Sequence, residues 1–150
     1  MPPLGRVSIT RFMDDPVEQP SFTIDGNRMT LLDTGPRRLD AVLALIDGAE
    51  RSLRVLYYIY ANDHSGQRVN AALIAAAERG VEVALIVDGF GSDGAPHAFF
   101  EALEAAGVSV CRFSARFGRR YLLRNHQKLA LADEARIIIE IGRASCRERV

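Results

Sequence analysis

The chain has 150 residues and a mass of 16.5 kDa, with 48% hydrophobic and 25% charged side chains, the composition of one globular domain able to bury about 70% of its unfolded surface. Its 19 basic and 19 acidic side chains cancel, so overall charge selects neither nucleic acid nor lipid, and any basic site must be local. The longest apolar run, residues 71–77, is far too short to span a membrane, and residues 1–10 lack the apolar core of a signal peptide. Cys111 and Cys146 supply neither a disulfide framework nor a metal-ligand spacing, so a reducing compartment with no metal and no cofactor is expected.

Residues 1–20 hold four of the six prolines and read as an irregular lead-in. Residues 22–24 and 28–32 flank Asp25-Gly26, the signature of a hairpin. Gly35-Pro36 then opens a helix with Leu39, Val42, Leu43, Ile46 and Ala49 at helical spacing. A strand is expected at 53–60, a polar turn at 62–66, and an alanine-rich helix at 67–79 closed by Gly80. The next strand, 81–87, is almost wholly apolar, which predicts cover on both faces. Pro96 starts a helix that runs to Ala106, Gly107 caps it, and 108–113 is another strand. Two successive strand-helix-strand units predict an α/β fold, a mixed and largely parallel sheet flanked by helices.

Beyond Phe113 the character changes. Arg112, Arg116, Arg119, Arg120, Arg124 and Lys128 fall in a stretch of 17 residues without an acid, which is either a solvated basic loop or an anion-facing one. Arg112, Arg116, Arg120, Arg124 and Lys128 recur every four residues, so Arg120 and Arg124 are the candidate phosphate-binding side chains that accompany Lys128. Lys128 is the only lysine against 18 arginines. A lone lysine where arginine serves everywhere else suggests a need for a compact ammonium, although it is equally what a solvated face would tolerate.

Residues 126–133 alternate as a strand does. On a strand His126 and Lys128 share a face with Ala130 and Ala132, whose small side chains leave room for a ligand, while Leu129 and Leu131 face the other way and can be buried. Asp133-Glu134 is the turn into a second strand from Arg136 to Ile139 or slightly beyond. His126, Lys128 and Asp133 form the pattern His-x-Lys-x-x-x-x-Asp, expected by chance in roughly one in 750 orderings of this composition.

The pattern, together with residues 53–66, 71–89 and 103–113, resembles the phospholipase D superfamily, and within it the amino-terminal half of cardiolipin synthase-type members, over residues 22–139. The resemblance implies a phosphatidyltransferase or phosphodiesterase that works through a phosphohistidine: an imidazole attacks phosphorus, a cation stabilises the non-bridging oxygens and a second histidine protonates the leaving alkoxide. His126 would be the nucleophile or the acid, Lys128 the phosphate clamp, and Asp133 either an orienting carboxylate or the residue that fixes the turn. It further implies a phospholipid substrate such as phosphatidylglycerol, a cytoplasmic location peripheral to the inner face of the cell membrane, and a second such motif, from further sequence or from a homodimer.

This chain departs from that family in two ways. It carries one motif where the family unites two, and the glycine-rich turn and asparagine that should follow the last strand are replaced by residues 140–150. Those eleven residues match a translation of a common short-read sequencing adapter, so the expected domain is 21–139, incomplete, with 140–150 a non-native tail. By this reading Arg143, Cys146, Arg147 and Arg149 carry no function.

Rival readings are a dimeric nuclease of the same superfamily, in which the arginines track a nucleic-acid backbone, and a silent phosphate- or lipid-binding module. Nucleic acid is disfavoured because little chain remains after the motif. Gly89, Gly91 and Gly94 also satisfy the dinucleotide-binding pattern GxGxxG between a strand and a helix, but Asp88 and Asp93 would set carboxylates against a pyrophosphate. His64 and His97 read as capping or surface residues.

Overall fold

The computed structural model describes residues 20–113 and 127–140, which divide into two compact units, one ending at Thr34 and the other beginning at Gly35. In the first, β1 (Ser21–Ile24) and β2 (Asn27–Thr30) pair antiparallel. Asp25 and Gly26 between them have φ of 49° and 79°. Two successive positive φ values are what a right-twisted two-residue hairpin requires, and aspartate followed by glycine is the pair that tolerates them. The apolar side chains of this hairpin, Phe22, Ile24 and Met29, are exposed.

The second unit holds α1 (Gly35–Asp47), β3 (Ser52–Tyr57), α2 (His64–Glu78), β4 (Glu82–Asp88), α3 (His97–Ala105), β5 (Ser109–Phe113), β6 (Lys128–Ala132) and β7 (Arg136–Glu140). The five strands form one sheet in the order β5-β4-β3-β6-β7. β5, β4 and β3 are parallel, while β6 runs antiparallel to β3 and to β7. The sheet is thus mixed, with two of its four ladders parallel, as the expected α/β class requires.

Two consecutive crossovers in one direction, β3-α2-β4 and β4-α3-β5, place both helices on the same side of the sheet, because each such connection is right-handed. The buried side chains agree with this. Leu53 and Val55 of β3, Val83, Leu85 and Val87 of β4, and Ala130 and Ala132 of β6 alternate along their strands and point to one face, where they meet Val42, Leu45 and Ile46 of α1, Leu73 of α2 and Leu103 of α3.

The opposite face carries Arg54 and Leu56, Ala84 and Ile86, Cys111, Leu129 and Leu131, and Ile137 and Ile139, with Ile86, Ile137 and Ile139 exposed. The expectation that the apolar β4 is covered on both faces is therefore corrected: Val83, Leu85 and Val87 are covered and Ile86 is open. Hydrophobicity on both sides of a strand does not say which elements supply the cover. Leu129 and Leu131 likewise sit half-buried on this open side.

Boundaries also move. The strand expected over 53–60 ends at Tyr57. Helix α2 begins at His64, inside the stretch expected to be a polar turn, because the Asp63 carboxylate accepts a 2.8 Å hydrogen bond from the Gly66 N–H and so caps the helix three residues early. At its other end Gly80, with φ of 89°, stops the helix as expected.

Candidate functional site

The C-terminal ends of β3 and β4 and the N-terminal end of β6 meet at one end of the sheet, because β6 runs antiparallel to β3. In open α/β sheets this carboxyl end of the parallel strands is where ligands bind. Lys128 opens β6 there. Its side chain is only 13% exposed and lies on the helix-covered face, the face of Ala130 and Ala132.

A lysine this covered needs a counter-charge. It finds one loosely in Glu140, its register partner on β7, with 3.9 Å between Nζ and Oε2. The other carboxylate oxygen of Glu140 accepts a 2.9 Å bond from Arg38 of α1. Lys128 and Arg38 thus share the Glu140 carboxylate, and a covered ammonium so loosely countered suits an anion. Glu140, at the head of the stretch expected to be a non-native tail, is the last residue of β7.

Asp133 lies beyond the other end of β6. It lies five positions after Lys128, roughly 16 Å along an extended strand. Its carboxylate is engaged mainly by backbone: Oδ1 accepts from the N–H groups of Arg51 at 2.7 Å, Ser52 at 3.1 Å and Glu50 at 3.2 Å, and Oδ2 accepts from the Glu50 N–H at 3.1 Å and from the Arg136 guanidinium at 3.2 Å. The Asp133 N–H in turn donates to the Ser52 carbonyl, and the Arg51 guanidinium donates to the Asp133 carbonyl. Arg136 also donates to the Gly48 carbonyl. Donation from the Arg51 and Ser52 backbone holds the Asp133 carboxyl well below the ordinary carboxylate range.

Asp133 and Glu134 both have positive φ, 55° and 58°, and aspartate is among the few residues that accept this conformation. Of the two readings left open for Asp133, the geometry is that of the turn-fixing one. The carboxylate ties the β6–β7 turn to the start of β3.

The remaining expected site residues, His126, Arg120 and Arg124, lie outside the described residues, as does Cys146. Ala130 and Ala132 do not leave room for a ligand. They are buried in the core, where their small side chains admit α1 to the sheet.

The GxGxxG loop is also accounted for. Asp88 Oδ1 accepts from the Phe90 and Gly91 N–H groups at 3.0 Å each, the Ser92 N–H donates to the Asp88 carbonyl, and Ser92 Oγ accepts from the Tyr60 N–H. A Cβ on Gly91 would overlap the Tyr58 carbonyl oxygen. The amides that would cradle a pyrophosphate are spent inside the loop, and Gly91 is needed for close approach to β3. His64 begins α2 and His97 begins α3, where it pairs with Glu101 at 2.9 Å.

Sequence reasoning did not single out Tyr57 or Arg38. Tyr57 fell inside the strand expected over 53–60, so its place at the end of β3, beside the start of β6, had no sequence signal. Arg38 gave no signal, since its bond to Glu140 joins residues 102 apart.

An α/β domain with one deeply seated lysine at the carboxyl end of its parallel strands is the class that fold and site define. Residues 42–142 match the family model described as cardiolipin synthase, PLD-like domain, and the chain belongs to that family. It is 36% identical over 114 residues to cardiolipin synthase B of Shigella flexneri, covering 73% of this chain and 28% of that protein. It is 34% identical over 115 residues to cardiolipin synthase A of Pseudomonas aeruginosa strain LESB58, covering 74% and 24%. The chain thus spans about a quarter of the length of the curated relatives it matches. Among solved structures, Nuc from Salmonella typhimurium, a phospholipase D family member, is similar with a TM-score of 0.48 and 26% identity, over 63% of this chain and 57% of that one.

Proposed function

We propose that this domain supplies one half of a phosphatidyl-transfer site of the phospholipase D type, in which Lys128 clamps the phosphate and His126 serves as nucleophile or as general acid. The observation that carries the reading is the placement of Lys128: 13% exposed, at the ligand-binding end of the sheet, and only loosely countered by Glu140. Membership of the cardiolipin synthase family supports the substrate class, a phospholipid such as phosphatidylglycerol.

In the proposed reaction a neutral imidazole attacks phosphorus, the bond to the departing alkoxide breaks, and a second histidine delivers the proton that alkoxide needs. The acceptor alcohol then attacks the phosphohistidine, gives its proton back to that second histidine and restores the free imidazole. Lys128 stabilises charge on the non-bridging oxygens throughout. The chain contains one His-x-Lys pair, so the second histidine comes from a further motif in a longer protein or from another copy of this chain. Arg120 and Arg124 are proposed to add phosphate contacts, and the lipid headgroup is met at a membrane surface on its cytoplasmic side. Among the described residues no helix is long and apolar enough to cross a membrane.

The test is a chimera in which the matching segment of Shigella flexneri cardiolipin synthase B is replaced by the aligned 73% of this chain. Transfer from fluorescent phosphatidylglycerol is expected, with loss of several orders of magnitude on His126→Ala. A His126→Ala chimera as active as its parent would sink the reading.

A further inference from the structure

Tyr57 and Tyr60 stand side by side at the end of β3, ring centroids 6.1 Å apart, and differ in what their hydroxyls do. Tyr60, 4% exposed, donates to Asn70 Oδ1 at 2.8 Å, and Asn70 in turn donates to the Phe99 carbonyl. Its polar atom is committed to the core. The Tyr57 hydroxyl takes no hydrogen-bond partner among the described residues. The ring is half-buried and the hydroxyl reaches the surface, so its donor is open to a ligand that displaces water there.

The register decides where that donor sits. β3 and β6 pair as Leu53 with Ala132, Val55 with Ala130 and Leu56 with Leu129, and one further step along the ladder sets Tyr57 across from Lys128. Alternation puts Tyr57 on the face of Leu53 and Val55, the helix-covered face that Lys128 shares. Val87, the parallel partner of Tyr57 on β4, is fully buried and continues the row to Arg112 on β5; Glu140, the partner of Lys128, closes it on the other side. The charged groups facing the row among the described residues are Lys128, Glu140, Arg38 and Arg112, whose guanidinium lies 4.9 Å over the Phe100 ring.

We infer that the Tyr57 hydroxyl is a second protein donor to the phosphate held by Lys128, an inference that rests on the proposed clamp. Burial, and then the Glu140 charge, push the Tyr57 phenol up from its ordinary value, which keeps it protonated and able to donate. A neutral donor beside an ammonium suits a phosphodiester oxygen: it adds a hydrogen bond without adding charge to a covered face.

The test titrates the 150-residue chain with inorganic phosphate, followed by 31P NMR and by the shifts of 13Cζ-labelled tyrosines. Phosphate is expected to move the Tyr57 resonance and leave that of Tyr60 in place. Tyr57→Phe should weaken binding roughly tenfold, the range of a hydrogen bond to a charged group, with an unchanged melting temperature. Lys128→Met should abolish binding. Tyr57→Phe binding as well as the parent, while Lys128→Met does not bind, overturns the Tyr57 role and leaves the clamp standing. Lys128→Met binding as the parent does, or a parent chain that binds no phosphate, overturns clamp and donor together.

Discussion

His126, Lys128 and Asp133 stand within eight positions of sequence, yet β6 separates the lysine from the aspartate by its whole length. In the proposed mechanism Lys128 is a point charge in a close site. Lys128→Arg should therefore remove most turnover in an enzyme that unites two motifs, because a planar guanidinium cannot take the place of a compact ammonium there; steady-state kcat on phosphatidylglycerol reads it. Asp133 predicts a different signature. Its folded pKa is depressed, so its contribution to stability is fully present above the ordinary carboxylate value, about 4, and is lost as pH falls through that value toward the lower folded one. Asp133→Asn keeps both the positive φ and one acceptor oxygen while removing the charge. It should lower the melting temperature at pH 7 and flatten its decline below about pH 5 relative to the parent, as thermal unfolding followed by circular dichroism would show. A variant with the parent's pH profile would contradict the brace.

At the scale of elements, most of the fold was legible because local chemistry and tertiary need agree. Asp25-Gly26 makes its hairpin, Gly80 and Gly107 end their helices at φ of 89° each, and the alternation of Leu53, Arg54 and Val55 in β3 marks the covered face, whereas in β6 the alanines and not the leucines are the buried side. What stayed hidden depends on partners distant in sequence. The start of α2 was misplaced because the capping bond of Asp63 outweighs the turn-like composition around it. The open face of β4 was misread because Ile86 is as apolar as Val87, and only the side on which the helices lie separates them. Ala130 and Ala132 were read as ligand space where they are packing space, a distinction set by α1, more than 80 residues earlier. Gly66 offers a test. Alanine in place of a helical glycine ordinarily gains up to about 1 kcal/mol, but a Cβ here would overlap the Ala61 carbonyl oxygen. The clash wins, so Gly66→Ala should lower the urea midpoint; a rise would show that the 61–66 turn relaxes freely.

At the scale of the whole molecule, the single motif and the sheet face left open among the described residues set the expected behaviour. The chain alone should hydrolyse neither fluorescent phosphatidylglycerol nor bis-nitrophenyl phosphate, since the proposed chemistry needs two motif histidines and the chain carries one His-x-Lys pair. Ile86, Ile137 and Ile139 leave the open face apolar, which favours association of copies. Size-exclusion chromatography should show oligomers that Ile137→Lys with Ile139→Lys reduces. A discrete dimer whose turnover disappears with His126→Ala would instead show that two copies complete the site.

The division of the motif along β6 is tested most directly by measuring kcat and melting temperature together for His126→Ala, Lys128→Arg and Asp133→Asn in the cardiolipin synthase chimera. The first two should lose turnover at an unchanged melting temperature, and Asp133→Asn should lose melting temperature while keeping kcat within a few-fold wherever it remains folded. An Asp133→Asn enzyme that melts like the parent but turns over no substrate would contradict the separation of brace from chemistry.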